Sequence, residues 1–165
     1  MTARHRAAPL VLGLALLTAT AGCTAGARAD ADLTFTDAWA KAADSGMTAA
    51  FGTLTNATDS DVTVVAAESH VARMELHEVV RGSDGAVMRP KDGGLVVPAR
   101  GTLTLEPGGD HLMFLDLTAP LVPGDDVDVT LVSADGATWS FSVPIRTFEG
   151  ADEDYHPQHG STSDS

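Results

Sequence analysis

The chain is short of cysteine, of aromatic residues and of basic residues, and each shortage excludes a class of protein. Its one cysteine, Cys23, rules out a disulfide within the chain. Aromatic residues make up only 5% of it, so a core must consist mainly of Val, Leu and Ala. Lys and Arg number 10 against 23 Asp and Glu, with no basic stripe past the first residues, which argues against nucleic-acid binding. The net charge of −13 favours solubility and could attract a basic partner surface.

The first 22 residues have the order of an export signal. Basic residues at 4–6 precede an apolar run, 10–17, that is too short for a stop-transfer helix, and small residues then lead to Cys23. This order resembles a bacterial lipoprotein signal, in which cleavage before the cysteine leaves it as the lipid-bearing first residue. An ordinary secretory signal is the alternative, but it gives Cys23 no role. We therefore predict a lipoprotein signal peptide at 1–22 and a lipidated tether at 23–32.

From residue 33 onward, short β-branched or alternating segments are separated by turns rich in Gly, Pro and Asp. No segment past the leader has helical periodicity. Nine strands are predicted, at 34–39, 47–56, 62–67, 74–80, 95–97, 102–105, 111–117, 127–132 and 138–145. This spacing indicates an all-β protein, with one antiparallel β-sandwich or barrel domain at 33–148.

Histidines and methionines are the residues of this domain that could carry chemistry. His111 and Met113 are two apart on a predicted strand, so both project from one face. Ten residues separate His77 from Met88. Thioether sulfur is a soft ligand and imidazole a borderline one, and together they suit Cu(I) better than Zn, Mg or Ca. A lone strand methionine is more often core filler and a lone histidine a surface or hydrogen-bonded residue, so spacing alone does not establish a site.

Four segments, 74–78, 85–90, 93–99 and 106–113, resemble the periplasmic copper chaperone family PCu(A)C. The motif is His, ten residues, Met, twenty-one or twenty-two residues, His, one residue, Met, and the likeness covers about residues 33–146. The resemblance implies a cupredoxin-like Greek-key β-sandwich. It also implies that one Cu(I) is bound by four ligands, which are His77, Met88, His111 and Met113.

The same resemblance implies a function as a copper chaperone. We expect no enzymatic activity, because the domain offers no second histidine cluster, no thiol for a type 1 copper site and no recognisable Ser-His-Asp arrangement. The leader predicts that the protein is lipid-anchored on the extracytoplasmic face of the bacterial cell membrane. The implied acceptor is the copper centre of cytochrome c oxidase, reached through its subunit II or a Sco-type thiol protein. Copper buffering or resistance, or a purely structural cell-surface sandwich, are the alternatives. Because exchange between proteins needs an accessible ion, we expect the four ligands at the rim of the sheet.

Residues 149–165 are acidic and rich in Ser and Gly, which predicts a disordered tail. The tail contains His156 and His159, two imidazoles that could bind Cu(II) weakly. They are possible auxiliary metal ligands.

The leader generates a prediction about location. Cys23→Ser should release the protein from the membrane into the soluble fraction, because the substitution removes the thiol that would carry the lipid. Metabolic labelling with a lipid precursor, followed by membrane fractionation, measures this. An unlabelled wild-type protein that stays with the membrane would contradict the lipoprotein interpretation.

Overall fold

A computed structural model describes residues 32–82 and 85–150, which form ten β-strands. These are β1 Leu33–Lys41, β2 Thr48–Asn56, β3 Val62–Glu68, β4 Arg73–Gly82, β5 Gly85–Pro90, β6 Leu95–Val97, β7 Thr102–Leu105, β8 His111–Leu115, β9 Asp126–Ser133 and β10 Thr138–Arg146. That part of the chain contains no helix long and apolar enough to cross a membrane. The predicted signal peptide, Cys23, all of the tether but Asp32, and the tail histidines His156 and His159 lie outside the described residues.

The strands form one continuous sheet in the order β5-β4-β8-β2-β1-β10-β9-β3-β6, with β7 also paired to β2. The sheet folds over on itself, so its two halves face each other across a common core. Leu54, Leu112 and Phe114 of one half pack in the same buried cluster as Leu131 and Trp139 of the other. The all-β sandwich predicted from the sequence is confirmed.

Two details differ from the sequence prediction. Gly85–Pro90 is a tenth strand, β5, which pairs with β4 in a hairpin. The sequence analysis predicts no strand here, because a glycine and a proline, which are both uncommon inside strands, stand at the ends of the segment. In addition, the sheet is not wholly antiparallel, because β1 and β10 run parallel, with Ala40 opposite Ile145 and Lys41 opposite Arg146.

Strands β7 and β8 lie end to end along one edge of β2. β7 pairs with β2 from Gly52 to Thr55, and β8 pairs with it from Thr48 to Ala50. The turn at 106–110 leaves the sheet between them, opposite Phe51. It is closed by hydrogen bonds from Gly109 N–H to the Glu106 carbonyl at 3.0 Å and from Glu106 N–H to the Asp110 carbonyl at 2.9 Å. This interruption leaves room beside the sheet for a pocket.

A β-bulge in β1 brings its backbone close to Gly52 of β2. The register shifts between Thr36 and Trp39, and Asp37 has a φ of 51°. Gly52 has a φ of 146°, and a Cβ atom there would lie 2.7 Å from a ring carbon of Phe35 and 2.8 Å from the Ala38 Cα. Only glycine meets both conditions, so Gly52 holds the bulge against the strand that carries Phe51.

Gly52→Ala should therefore lower the free energy of unfolding by about 3 kcal/mol, because the added methyl group clashes with β1 and the backbone angle is strained. Gly82→Ala is the matched control, since a Cβ atom at Gly82 meets nothing within 4 Å. Chemical denaturation of both variants measures the difference. Equal stability of the two variants would show that β1 can move away at little cost.

Candidate metal site

Strand register places the four predicted ligands on one face of the sheet. His77 of β4 lies opposite His111 of β8, and Met113 of β8 lies opposite Ala49 of β2. Met88 of β5 lies opposite Val79, which is two residues beyond His77 and so on the same face. The residues between the ligands, such as Leu112, point into the main core on the other side. The sheet thus separates the candidate site from the core.

Three of the four residues line one pocket of about 180 Å³. Met88, His111 and Met113 contribute to its wall together with Phe51, and the turn at 106–110 adds Pro107 and Gly108. His77 lies outside the lining, with its ring centroid 5.6 Å from that of His111 in an edge-to-face arrangement.

The four side chains are buried, not exposed at the rim as the sequence analysis expected. His77, Met88, His111 and Met113 are 0%, 4%, 2% and 3% exposed. Aromatic neighbours account for much of this burial, because the Phe51 ring lies 6.0 Å from His111 and Trp39 packs on Phe51 at 4.8 Å. Trp39 belongs to β1 and Phe51 to β2. The spacing of the predicted ligands along the sequence therefore could not reveal that these rings cover them.

A small apolar cluster surrounds the methionine sulfurs. It contains Met88, Met113, Ala49, Phe51 and Leu115, and it is distinct from the main core. Met74, in contrast, is partly buried against the main core, on the other side of the sheet. The structure therefore separates the methionines near the pocket from the one that serves as core packing.

Each imidazole is oriented by a hydrogen bond through one nitrogen. His111 Nδ1 lies 3.0 Å from the Gly109 carbonyl oxygen, and a carbonyl only accepts, so Nδ1 carries the proton. His77 Nε2 lies 2.8 Å from Glu75 Oε2 and donates to that carboxylate. In the neutral rings the lone pairs are then on His111 Nε2 and His77 Nδ1, and both atoms are buried. The neighbours thus specify which nitrogen of each neutral ring could coordinate a metal ion.

Glu75 was missed by the sequence analysis, although its position two residues before His77 puts it on the same strand face. Burial by itself would raise the pKa of Glu75, but hydrogen bonds from His77 and Arg73 outweigh it, and the pKa lies below its usual value. The carboxylate is therefore ionised at neutral pH. A carboxylate behind a ligating imidazole fixes the ring orientation and raises its basicity.

An ion-pair network connects the strands that carry the predicted ligands. Lys91 Nζ lies 3.1 Å from Glu78 Oε2 and 3.0 Å from Asp110 Oδ1, and Arg89 also pairs with Glu78 at 2.9 Å. The hydrogen bonds from Arg89 and Lys91 lower the pKa of Glu78 despite its partial burial. Burial alone would lower the pKa of Lys91, but Asp110 and Glu78 raise it. Glu78 and Lys91 are therefore charged at neutral pH, and the ion pairs connect β4 and β5 to Asp110, the residue before His111.

Among the described residues, no group of three or more His, Cys, Asp and Glu side chains could hold a metal ion. The four residues predicted as ligands instead offer two imidazoles and two thioethers. That combination is neutral and soft, which favours a monovalent soft cation over Zn(II) or Ca(II).

Comparison with known proteins assigns the chain to a family. A family model described as "Putative lipoprotein LpqE-like" matches residues 33–145. The chain is 44% identical over 119 residues to a protein of Leifsonia xyli subsp. xyli (strain CTCB07) named "Putative lipoprotein Lxx21020", covering 72% of each chain.

Solved structures with the same fold include DR1885 of Deinococcus radiodurans. In its apo form DR1885 is 33% identical, with a TM-score of 0.55 over 88% of this chain and 97% of its own. Its Cu(I) form is 32% identical, with a TM-score of 0.51 over 70% of this chain and 80% of its own.

The copper-bound PCuAC domain from PmoF2 has a TM-score of 0.58 over 71% of this chain and 94% of its own, at 15% identity, a likeness that concerns the fold alone. These similarities agree with the resemblance found in the motif. The chain belongs to the LpqE-like lipoprotein family, and its described domain has the PCuAC fold.

Proposed function

We propose that this protein is an extracytoplasmic copper chaperone that holds one Cu(I) on His77, Met88, His111 and Met113 and passes it to an acceptor protein. The observation that carries the proposal is the convergence of two oriented imidazoles and two thioethers on one sheet face. The likeness to DR1885, which has been solved with Cu(I) bound, supports copper as the ion.

The chemistry of the donor set favours holding Cu(I) reversibly. All four ligands are neutral, so the ion keeps its positive charge in an apolar cluster. Thioether and imidazole bind Cu(I) well but less strongly than thiolate does. An acceptor with thiolate ligands can therefore draw the ion away, and the copper stays Cu(I) throughout.

The acceptor we propose is the copper centre of cytochrome c oxidase, reached through its subunit II or a Sco-type thiol protein. Two features support a membrane-associated acceptor. The leader that precedes Cys23 predicts a lipid anchor on the extracytoplasmic face, and the related Leifsonia protein carries a lipoprotein name. The acidic surface would in turn suit a basic docking face.

Copper buffering or resistance is a second candidate, and one observation favours it. The four proposed ligands are at most 4% exposed, which would slow release of the ion. A copper buffer and a copper chaperone would use the same site, but they would differ in how fast they pass Cu(I) to an acceptor. Rapid Cu(I) transfer from the loaded domain to a dithiol acceptor, faster than dissociation into solution, supports the chaperone; transfer limited by dissociation supports the buffer.

The ligand assignment predicts which methionine matters. Met88→Ala and His111→Ala should each weaken Cu(I) affinity by at least roughly tenfold, because each removes one donor from the set. Met74→Ala is the control: it should cost stability, on the order of 2 kcal/mol, through lost packing, with copper affinity unchanged. Cu(I) titration against a competing chelator under reducing conditions, beside thermal melts, measures both effects. Parent-like binding by Met88→Ala and His111→Ala would refute the four-ligand site.

The hydrogen bond behind His77 generates a further prediction. Glu75→Ala should weaken Cu(I) affinity by about 10- to 100-fold, because the His77 ring loses the carboxylate that orients it. Glu68→Ala is the matched control, since Glu68 is an exposed glutamate on β3. The same chelator competition measures both. An affinity for Glu75→Ala equal to that of Glu68→Ala would mean that His77 needs no such support.

A further inference from the structure

Met47 lines the same pocket as Met88, His111 and Met113, but no part of the family motif includes it. It differs from them in exposure. Met47 is 49% exposed, whereas Met88 and Met113 are 4% and 3% exposed. Of the four methionines within residues 32–82 and 85–150, it is the one whose side chain reaches both the solvent and the pocket. A soft sulfur donor thus lies at the mouth of a buried soft site.

The backbone on either side of Met47 is held in place. The Gly46 carbonyl accepts a hydrogen bond from Leu117 N–H at 3.0 Å, and the Thr48 hydroxyl donates to the Lys41 carbonyl at 2.7 Å. Thr48 is also the first residue of β2 and lies opposite Phe114. The position of Met47 relative to the pocket is therefore fixed by the sheet, while its unbranched side chain remains adjustable.

Because the proposed ligands are buried, a partner protein has no direct access to a bound ion, whereas it can reach Met47. A partner protein cannot place its own sulfur against side chains that are at most 4% exposed without opening the cluster around Phe51. Ligand exchange at Cu(I) is easiest when a new donor binds before an old one leaves. An exposed thioether at the mouth can touch the ion while the partner still holds it.

We propose that Met47 is an entry and exit ligand for Cu(I), a transfer site at the pocket mouth for a partner that presents thiolate or thioether sulfur. The inference rests on the proposed copper function and adds the route of exchange. On loading, a Cu–S bond to Met47 forms as one bond to the donor sulfur breaks. The ion then moves to His111 and the buried sulfurs. Copper remains Cu(I), and no proton moves at the thioether.

The test measures the rate of Cu(I) exchange separately from the equilibrium affinity for Cu(I). Met47→Leu keeps the size and apolar character of the side chain and removes its sulfur. Stopped-flow transfer of Cu(I) from the loaded protein to bathocuproine disulfonate, and loading from a Cu(I)–dithiol complex, should both slow by about tenfold. The equilibrium dissociation constant should stay within about twofold, because the buried ligands are unchanged. Met47→His, which restores a donor for Cu(I), should recover most of the rate.

Met74→Leu is the matched control, a methionine that packs against the main core outside this pocket, and it should exchange copper at the wild-type rate. Exchange by Met47→Leu at the wild-type rate overturns the transfer site and leaves the proposed function standing. A loss of affinity as large as that of Met88→Ala also overturns it, because Met47 would then be a resting ligand. Wild-type protein that binds no Cu(I) overturns the proposed function itself.

Discussion

The register of β8 against its neighbours is the constraint on which the site depends. With His111 opposite His77, both imidazoles and Met113 share the outer face, while Leu112 and Phe114 point into the main core. A slip of β8 by one residue would exchange these two sets. It would expel two large apolar side chains from the core, at a cost of roughly 1.5–3 kcal/mol each. Core packing on one face therefore sets the arrangement of the four proposed ligands on the other.

Burying two imidazoles also has a cost, which the structure offsets with the same contacts that orient them. The Gly109 carbonyl accepts from His111, and the Glu75 carboxylate accepts from His77. Without such partners a buried polar nitrogen destabilises the fold by about 1–3 kcal/mol. Stability and ligand orientation thus rest on shared hydrogen bonds. This is why a loop as small as 106–110 matters to both.

Much of the fold was predictable from local pattern, and part of the site was not. Alternation along segments such as 127–132 and 138–145 predicted strands, because a half-buried strand imposes a period of two. The same period placed His111 and Met113 on one face. It could not show whether that face is open or covered, since the cover at Phe51 and Trp39 comes from β1 and β2. Strand β5 was missed because its pairing with β4, rather than its own sequence, makes it a strand.

Strand β1 connects the start of the described domain to the pocket. β1 runs from Leu33 to Lys41, and Lys41 belongs to the pocket wall and donates a hydrogen bond to the Gly150 carbonyl. Nine residues of strand span about 30 Å. The chain therefore enters the domain at one end of β1 and reaches the pocket wall at the other, so the entry point of the chain and the pocket lie at opposite ends of this strand.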